Sequence, residues 1–182
     1  MSQHIQSNQA MKTKIRVVSH LYILAVIIGA ISLTGAVRGA DTTSTGGGSS
    51  LSEKDRTFMK KAAKGGMMEV AMGQVAEQKA KSDDVKSFGK RMVADDGKAN
   101  GELKSIASQK GVQLPSKEHS AKWTSDKAYI DMMVQDHEKD LAEFKEEANN
   151  GSDPDVKKFA DDTAKMVQEH LDLAKETQGK LK

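Results

Sequence analysis

The sequence contains no cysteine, and aromatic residues make up only 4% of it. Without cysteine there is no disulfide and no thiolate nucleophile or ligand, so the fold rests on its core alone. So few aromatics disfavour a β-rich core, while abundant Ala, Met, Lys, Asp and Glu favour helices that pack through small and flexible side chains. A cationic cluster is missing too: Lys and acidic residues alternate along the chain, which excludes a nucleic-acid surface. Serine is confined mainly to helix starts and linkers, so no nucleophile is paired with a base. Gly65-Gly66 falls inside a helical pattern and follows no strand, so it is not a phosphate loop. What remains, at 182 residues, is a single all-α domain with extensions and no catalytic motif.

The N-terminus carries the one long apolar run. Lys14 and Arg16 precede a mostly apolar stretch from Val17 to Val37, followed by Gly39 and Ala40. That order is the one of a secretory signal peptide, which places the protein outside the cytoplasm, in the periplasm. The alternative is an uncleaved inner-membrane anchor over residues 17–37, the only part of the chain expected to meet a membrane. Removing residues 1–40 takes away Lys12, Lys14, Arg16 and Arg38 and no acid, which turns the formal charge from +2 to −2. Residues 41–51, rich in Thr, Gly and Ser, read as a flexible linker, and residues 52–182 as the folded domain. No feature nominates a protein partner.

Four amphipathic segments follow. Ser52-Glu-Lys-Asp55 is a capped helix start, and Phe58, Ala62, Gly65, Glu69, Met72 and Ala76 recur at steps of four and three. Gly65, Gly66 and Gly73 each cost about 1 kcal/mol against Ala, a cost that close helix approach or room for a ligand would offset. Val85, Phe88, Met92, Asp95, Ala99, Leu103 and Ile106 form a second stripe, with Asp96 at its edge. Gly111 stops this helix. Ile130, Met133, His137, Leu141, Phe144 and Ala148 form the third stripe, which Asn149-Asn150-Gly151 closes in a left-handed stop. Asp153-Pro154 opens the fourth, with Val156, Phe159, Thr163, Met166, His170, Leu173 and Thr177. The spacing predicts helices over 52–81, 83–110, 126–149 and 154–181, and so an antiparallel four-helix bundle. Trp123 should cover one end of its core, and His119 should sit on the surface.

A repeated pentapeptide marks the centre. Met133-Val134-Gln135-Asp136-His137 recurs as Met166-Val167-Gln168-Glu169-His170, and as Met92-Val93-Ala94-Asp95-Asp96 with Asp in the last place. Glu69, Asp95 or Asp96, His137 and His170 each lie within about three positions of a helix midpoint, or roughly 5 Å along the axis. They should therefore share one layer whichever way each helix runs.

With these motifs placed, the domain resembles the bacterial family known as domain of unknown function 4142, a group of exported, ferritin-like four-helix proteins. The resemblance covers about Asp55 to Leu173. It rests on Phe58, Gly65-Gly66-Met-Met-Glu69-Val70, Arg91-Met92-Val93-Ala94-Asp95, Gly111-Val112-Gln113-Leu114-Pro115, Asp126 with Tyr129, and the segments ending at His137 and His170. It implies fold and export, and no established reaction. The family usually has His where this chain has Asp96 and an aromatic where it has Ser125. The first change trades imidazole for carboxylate and moves any metal preference towards harder ions.

Two uses of the layer follow from its residue types. Glu69, Asp95 or Asp96, His137 and His170 form a mixed N/O donor set suited to Fe, Mn or Zn, with Asp136 and Glu169 as outer partners. Copper ranks lower, although Met133 and Met166 stand one turn before the two histidines and Met72 and Met92 lie on stripes. A ferritin-type di-iron centre needs Glu-x-x-His on two helices, and Val134 and Val167 occupy those positions, which argues against ferroxidase chemistry. The alternative is a structural or interaction bundle whose polar layer binds no metal and only fixes helix register.

Overall fold

The computed structural model describes residues 51–116 and 122–181. The expected N-terminal signal or anchor segment, residues 41–50 of the linker and His119 lie outside the described residues. Four helices make up the fold: α1 Glu53–Lys79, α2 Asp83–Gln109, α3 Asp126–Asn150 and α4 Pro154–Lys180. Each boundary falls within two residues of its expected place. Among the described residues no helix is long and apolar enough to cross a membrane.

Polar contacts at the two ends fix the topology. At one end Asp126 accepts from the backbone N–H groups of Lys81 and Ser82, joining the start of α3 to the α1–α2 turn. At the other, Asp55 of α1 accepts from the N–H groups of Ser152 and Asp153 in the α3–α4 turn, and Lys110 reaches Asp153 at 2.8 Å. Hence α1 and α4 run one way and α2 and α3 the other. α1 and α2 form one hairpin, α3 and α4 the second, and they meet through α2 against α4 and α1 against α3. The chain from α2 to α3 thus joins opposite ends of helices about 40 Å long. Fifteen residues, Gly111 to Ser125, can span up to about 50 Å. One long crossover is the connectivity of ferritin-like bundles.

Local chemistry explains the helix ends. Ser52 Oγ accepts from Asp55 N while Asp55 Oδ2 accepts from Ser52 N, a reciprocal cap on α1. Ser125 caps α3, and Asp153 caps α4 ahead of Pro154. Ser82, the residue before α2, makes no side-chain cap bond; the Asp126 carboxylate holds that turn instead. Gly111, expected to stop α2, follows its end in the left-handed conformation, with φ of 65°. Gly151 does not: its φ is −62°, so the expected left-handed stop is corrected. Glycine is required there for space, because a Cβ would lie 2.7 Å from both the carbonyl and Oε1 of Glu147.

Two apolar clusters fill the bundle, one at each end of the polar layer. Phe88, Met92, Ile130, Met133, Val167 and Leu171 belong to the cluster nearer the α1–α2 turn, and Phe58, Met59, Leu103, Val156 and Phe159 to the other. Trp123 packs on the first with its ring 5.5 Å from Tyr129, as expected of a residue covering that end. In α1 and α2 the glycines bring the backbones together: a Cβ on Gly73 would lie 2.6 Å from the Gly89 carbonyl, and one on Gly89 2.8 Å from that of Gly73.

Candidate metal centre

The polar layer forms where the four helix midpoints meet. Glu69 on α1, Asp96 on α2, His137 on α3 and His170 on α4 are all buried, the two imidazoles completely. Asp95 and Asp96 exchange the places expected of them: Asp96 enters the interior and Asp95 is half-exposed at the α2–α4 seam. Adjacent helical residues differ by about 100° in direction, so a modest rotation of α2 decides which one points inward.

Each imidazole is fixed in one tautomer. His137 Nδ1–H donates to the Met133 carbonyl at 2.8 Å, which leaves Nε2 as a bare lone pair. His170 Nε2–H donates to Asp95 Oδ2 at 2.9 Å, which leaves Nδ1 bare. The rings stand edge to face with centroids 5.5 Å apart. Neither bare nitrogen has a hydrogen-bond partner. Burial and the neighbouring His170 push His137 down to about 4. Burial also lowers His170, and the Asp95 hydrogen bond only partly opposes it. Both rings are therefore neutral at physiological pH, the form that ligates metals.

The carboxyl groups divide the negative charge unequally. Burial, then the fields of Asp96, Asp140 and Asp136, push Glu69 well above the usual carboxylate range. Burial raises Asp96 as well, against the hydrogen bond that it accepts from Glu69. Of the two, Glu69 holds its proton the more firmly and donates it to Asp96. His137 Nε2 and Glu69 Oε1 stand 3.7 Å apart, a contact between two neutral groups and not a salt bridge. Burial works to raise Asp95, but the hydrogen bonds from His170 and Arg91 outweigh it and hold Asp95 below its ordinary value. Asp95 thus remains a carboxylate behind His170, a carboxylate–histidine arrangement that orients the free nitrogen inward.

The remaining expected residues lie further out. Glu169 is exposed and pairs with Arg91, which also binds Asp95. Asp136 is half-buried on α3 and acts on Glu69 through its charge alone. Met133, Met92 and Met72 are buried in the cluster beside the layer, whereas Met166 is only partly buried and lines a groove between α2 and α4. Two acids escaped the sequence reading. Asp140 and Glu143 border a cavity of about 40 Å³ beside Glu69 and Asp96. Asp140 stands one turn beyond His137, a spacing that could have drawn attention to it.

Among the described residues, no three His, Asp or Glu side chains already converge as they would on an ion. The donors are present in type, number and layer, and must close inward to ligate one.

Known proteins with this fold include CopM. The CopM structure in the Cu(I)-bound form aligns with a TM-score of 0.61 at 18% identity, over 69% of this chain and 96% of CopM. The Cu(II)-bound form gives 0.61 at 16% identity, over 70% and 97%. A DUF305 fragment from Deinococcus radiodurans gives 0.58 at 10% identity, over 72% and 99%. At these identities the likeness concerns the fold. No curated protein sequence matches the chain as a relative. The sequence model of DUF4142, a domain of unknown function, matches residues 40–177, which span all four helices to within three residues of the end of α4, and the chain belongs to that family.

Proposed function

We propose that this protein is an exported metal-binding module that holds one transition-metal ion between His137 and His170, with Glu69 and Asp96 completing the donor set. The observation that carries the reading is the pair of tautomer-locked imidazoles, each buried with its free nitrogen unpartnered. Leaving a buried polar atom unsatisfied costs about 1–3 kcal/mol, and two such atoms on facing rings are accounted for together if they share a cation. Two neutral imidazoles and two carboxyls fit a borderline divalent ion. Among first-row divalent ions Cu(II) takes such donors most tightly, which moves copper ahead of the Fe, Mn and Zn favoured by the residue types alone. The Cu(I)- and Cu(II)-bound states of CopM, on a similar bundle, lend support. Buried Met133 and Met92 add soft donors one turn away. The apolar run at Val17–Val37 supports export.

The test is metal content of protein purified without chelators, together with melting temperature after addition of Cu, Zn, Fe or Mn. Stoichiometric uptake with a raised melting temperature is expected. Sub-stoichiometric metal with no thermal shift from any of the four overturns the reading.

A second reading is favoured by the hydrogen bonds within the layer, Glu69 to Asp96 and His170 to Asp95: they fix helix register without an ion. It expects His137 and His170 to be jointly replaceable by Leu with equal or greater stability and no loss of bound metal.

A further inference from the structure

Beside Glu69 and Asp96, on the side of the second apolar cluster, lies a partly open cavity of about 40 Å³. Its charged border comes from three helices: Glu69 and Lys61 from α1, Asp96 from α2, and Asp140 and Glu143 from α3. α4 contributes the hydroxyl of Thr163 and apolar groups. Lys61 is mostly exposed and pairs with Glu143 at 3.8 Å, and Lys139 acts on Asp140 through its charge. Asp96 is 4% exposed, and its Oδ2 has no hydrogen-bond partner. Asp140 is near enough for its charge to act on both Glu69 and Asp96.

A buried carboxyl oxygen without a hydrogen-bond partner, beside a partly open space bordered by three further acids, calls for a cation or for water. Roughly 10–15 Å³ suffices for one water, so the cavity has room for an ion with a water or two. The donors are all oxygen, the choice of hard divalent ions, which keep part of their water shell and take carboxylates for the rest.

We propose that this cavity is a second cation site, for a hard divalent ion such as Mn(II) or Mg(II), with Asp140, Asp96 and Glu69 closing inward as its ligands. It shares two carboxyls with the histidine site but not its nitrogen donors, and it does not depend on copper binding there. Asp140 is its distinguishing residue. Gly66 belongs to the same construction: a Cβ there would lie 2.4 Å from Asn100 Oδ1, so glycine lets the Asn100 side chain close the cavity against α1.

Mn(II) titration into metal-free protein in mildly alkaline buffer, followed by loss of the free-ion EPR signal, tests the site. One Mn(II) per chain should bind to the wild type and equally to the His137→Leu/His170→Leu double variant. Asp140→Asn should weaken it by roughly tenfold or more. Asp140→Ser should do the same and guards against a packing artefact, with circular dichroism to show that each variant is folded. No Mn(II) binding by the wild type means a cavity that holds only water and overturns the proposal. So does binding that survives both Asp140 variants, or binding that is lost with the histidines, which would put the ion in the imidazole layer. None of these three outcomes decides copper binding by His137 and His170, which stands or falls on its own titration.

Discussion

His137 and His170 face each other at 5.5 Å between ring centroids, and each has its outer nitrogen engaged and its other nitrogen bare. The engaged atoms differ, Nδ1 in His137 and Nε2 in His170, because one ring uses a carbonyl of its own helix and the other a carboxylate of α2. That asymmetry makes the role of Asp95 separable from that of the ligands.

Asp95→Asn should retain the acceptor for His170 Nε2–H while removing the negative charge behind it. Metal affinity is then expected to fall roughly tenfold, within the range for such outer partners, with little change in melting temperature. Competition titration against a chelator of known affinity measures it. An unchanged affinity would remove Asp95 from the site.

At the far end of the bundle Glu147 is enclosed, and burial, then its hydrogen bond to Asp55 and that group's charge, push it up to about 7. Burial also works to raise Asp55, but the N–H groups of Ser152 and Ser52 and the Glu147 proton hold it below its ordinary value. For Glu147 the folded value lies above the unfolded one, so its contribution is complete below about 4.5 and is lost as pH rises through about 7. Glu147→Gln keeps a neutral donor for Asp55. It should flatten that loss and exceed the wild type by about 1–2 kcal/mol above neutrality in urea denaturation, while matching it in acid.

Asp55 satisfies three backbone N–H groups, of Ser52, Ser152 and Asp153. Asp55→Ala therefore removes a helix cap and the tie between α1 and the α3–α4 turn at once. A loss of about 2–4 kcal/mol is expected by denaturant titration. A loss below about 0.5 kcal/mol would show that the turn holds itself.

The glycines divide by surroundings. Gly73→Ala and Gly89→Ala push a methyl into the opposite backbone and should each cost about 1–3 kcal/mol. Gly97→Ala and Gly101→Ala, on the exposed face of α2 with nothing within 4 Å, should each stabilise by up to about 1 kcal/mol. Thermal melts of the four variants decide it.

These glycines also show where the sequence was legible and where it was not. Helix limits, the caps at Ser52 and Asp153, and the level of the polar layer follow from local chemistry and 3.6-residue spacing, and all are found. The choice between Asp95 and Asp96 depends on the rotation of α2, which packs on α1 through Gly73 and Gly89, and spacing alone leaves it open. Asp140, Glu143 and Glu147 lie off the apolar stripe of α3, where charged side chains ordinarily face water. Nothing local distinguishes an acid facing water from one facing a cavity or a turn contributed by another helix. Gly151 carried the right residue for the wrong reason, since its neighbour Glu147 was not expected inside.

The central claim concerns two nitrogens, and Cu(II) EPR counts them. With one equivalent of Cu(II), the spectrum should show hyperfine splitting from two imidazole nitrogens. His137→Leu or His170→Leu should each reduce it to one, and His119→Ala should leave it unchanged. A spectrum that keeps its nitrogen count in both single variants, or that shows only aqueous copper in the wild type, would contradict metal binding in this layer.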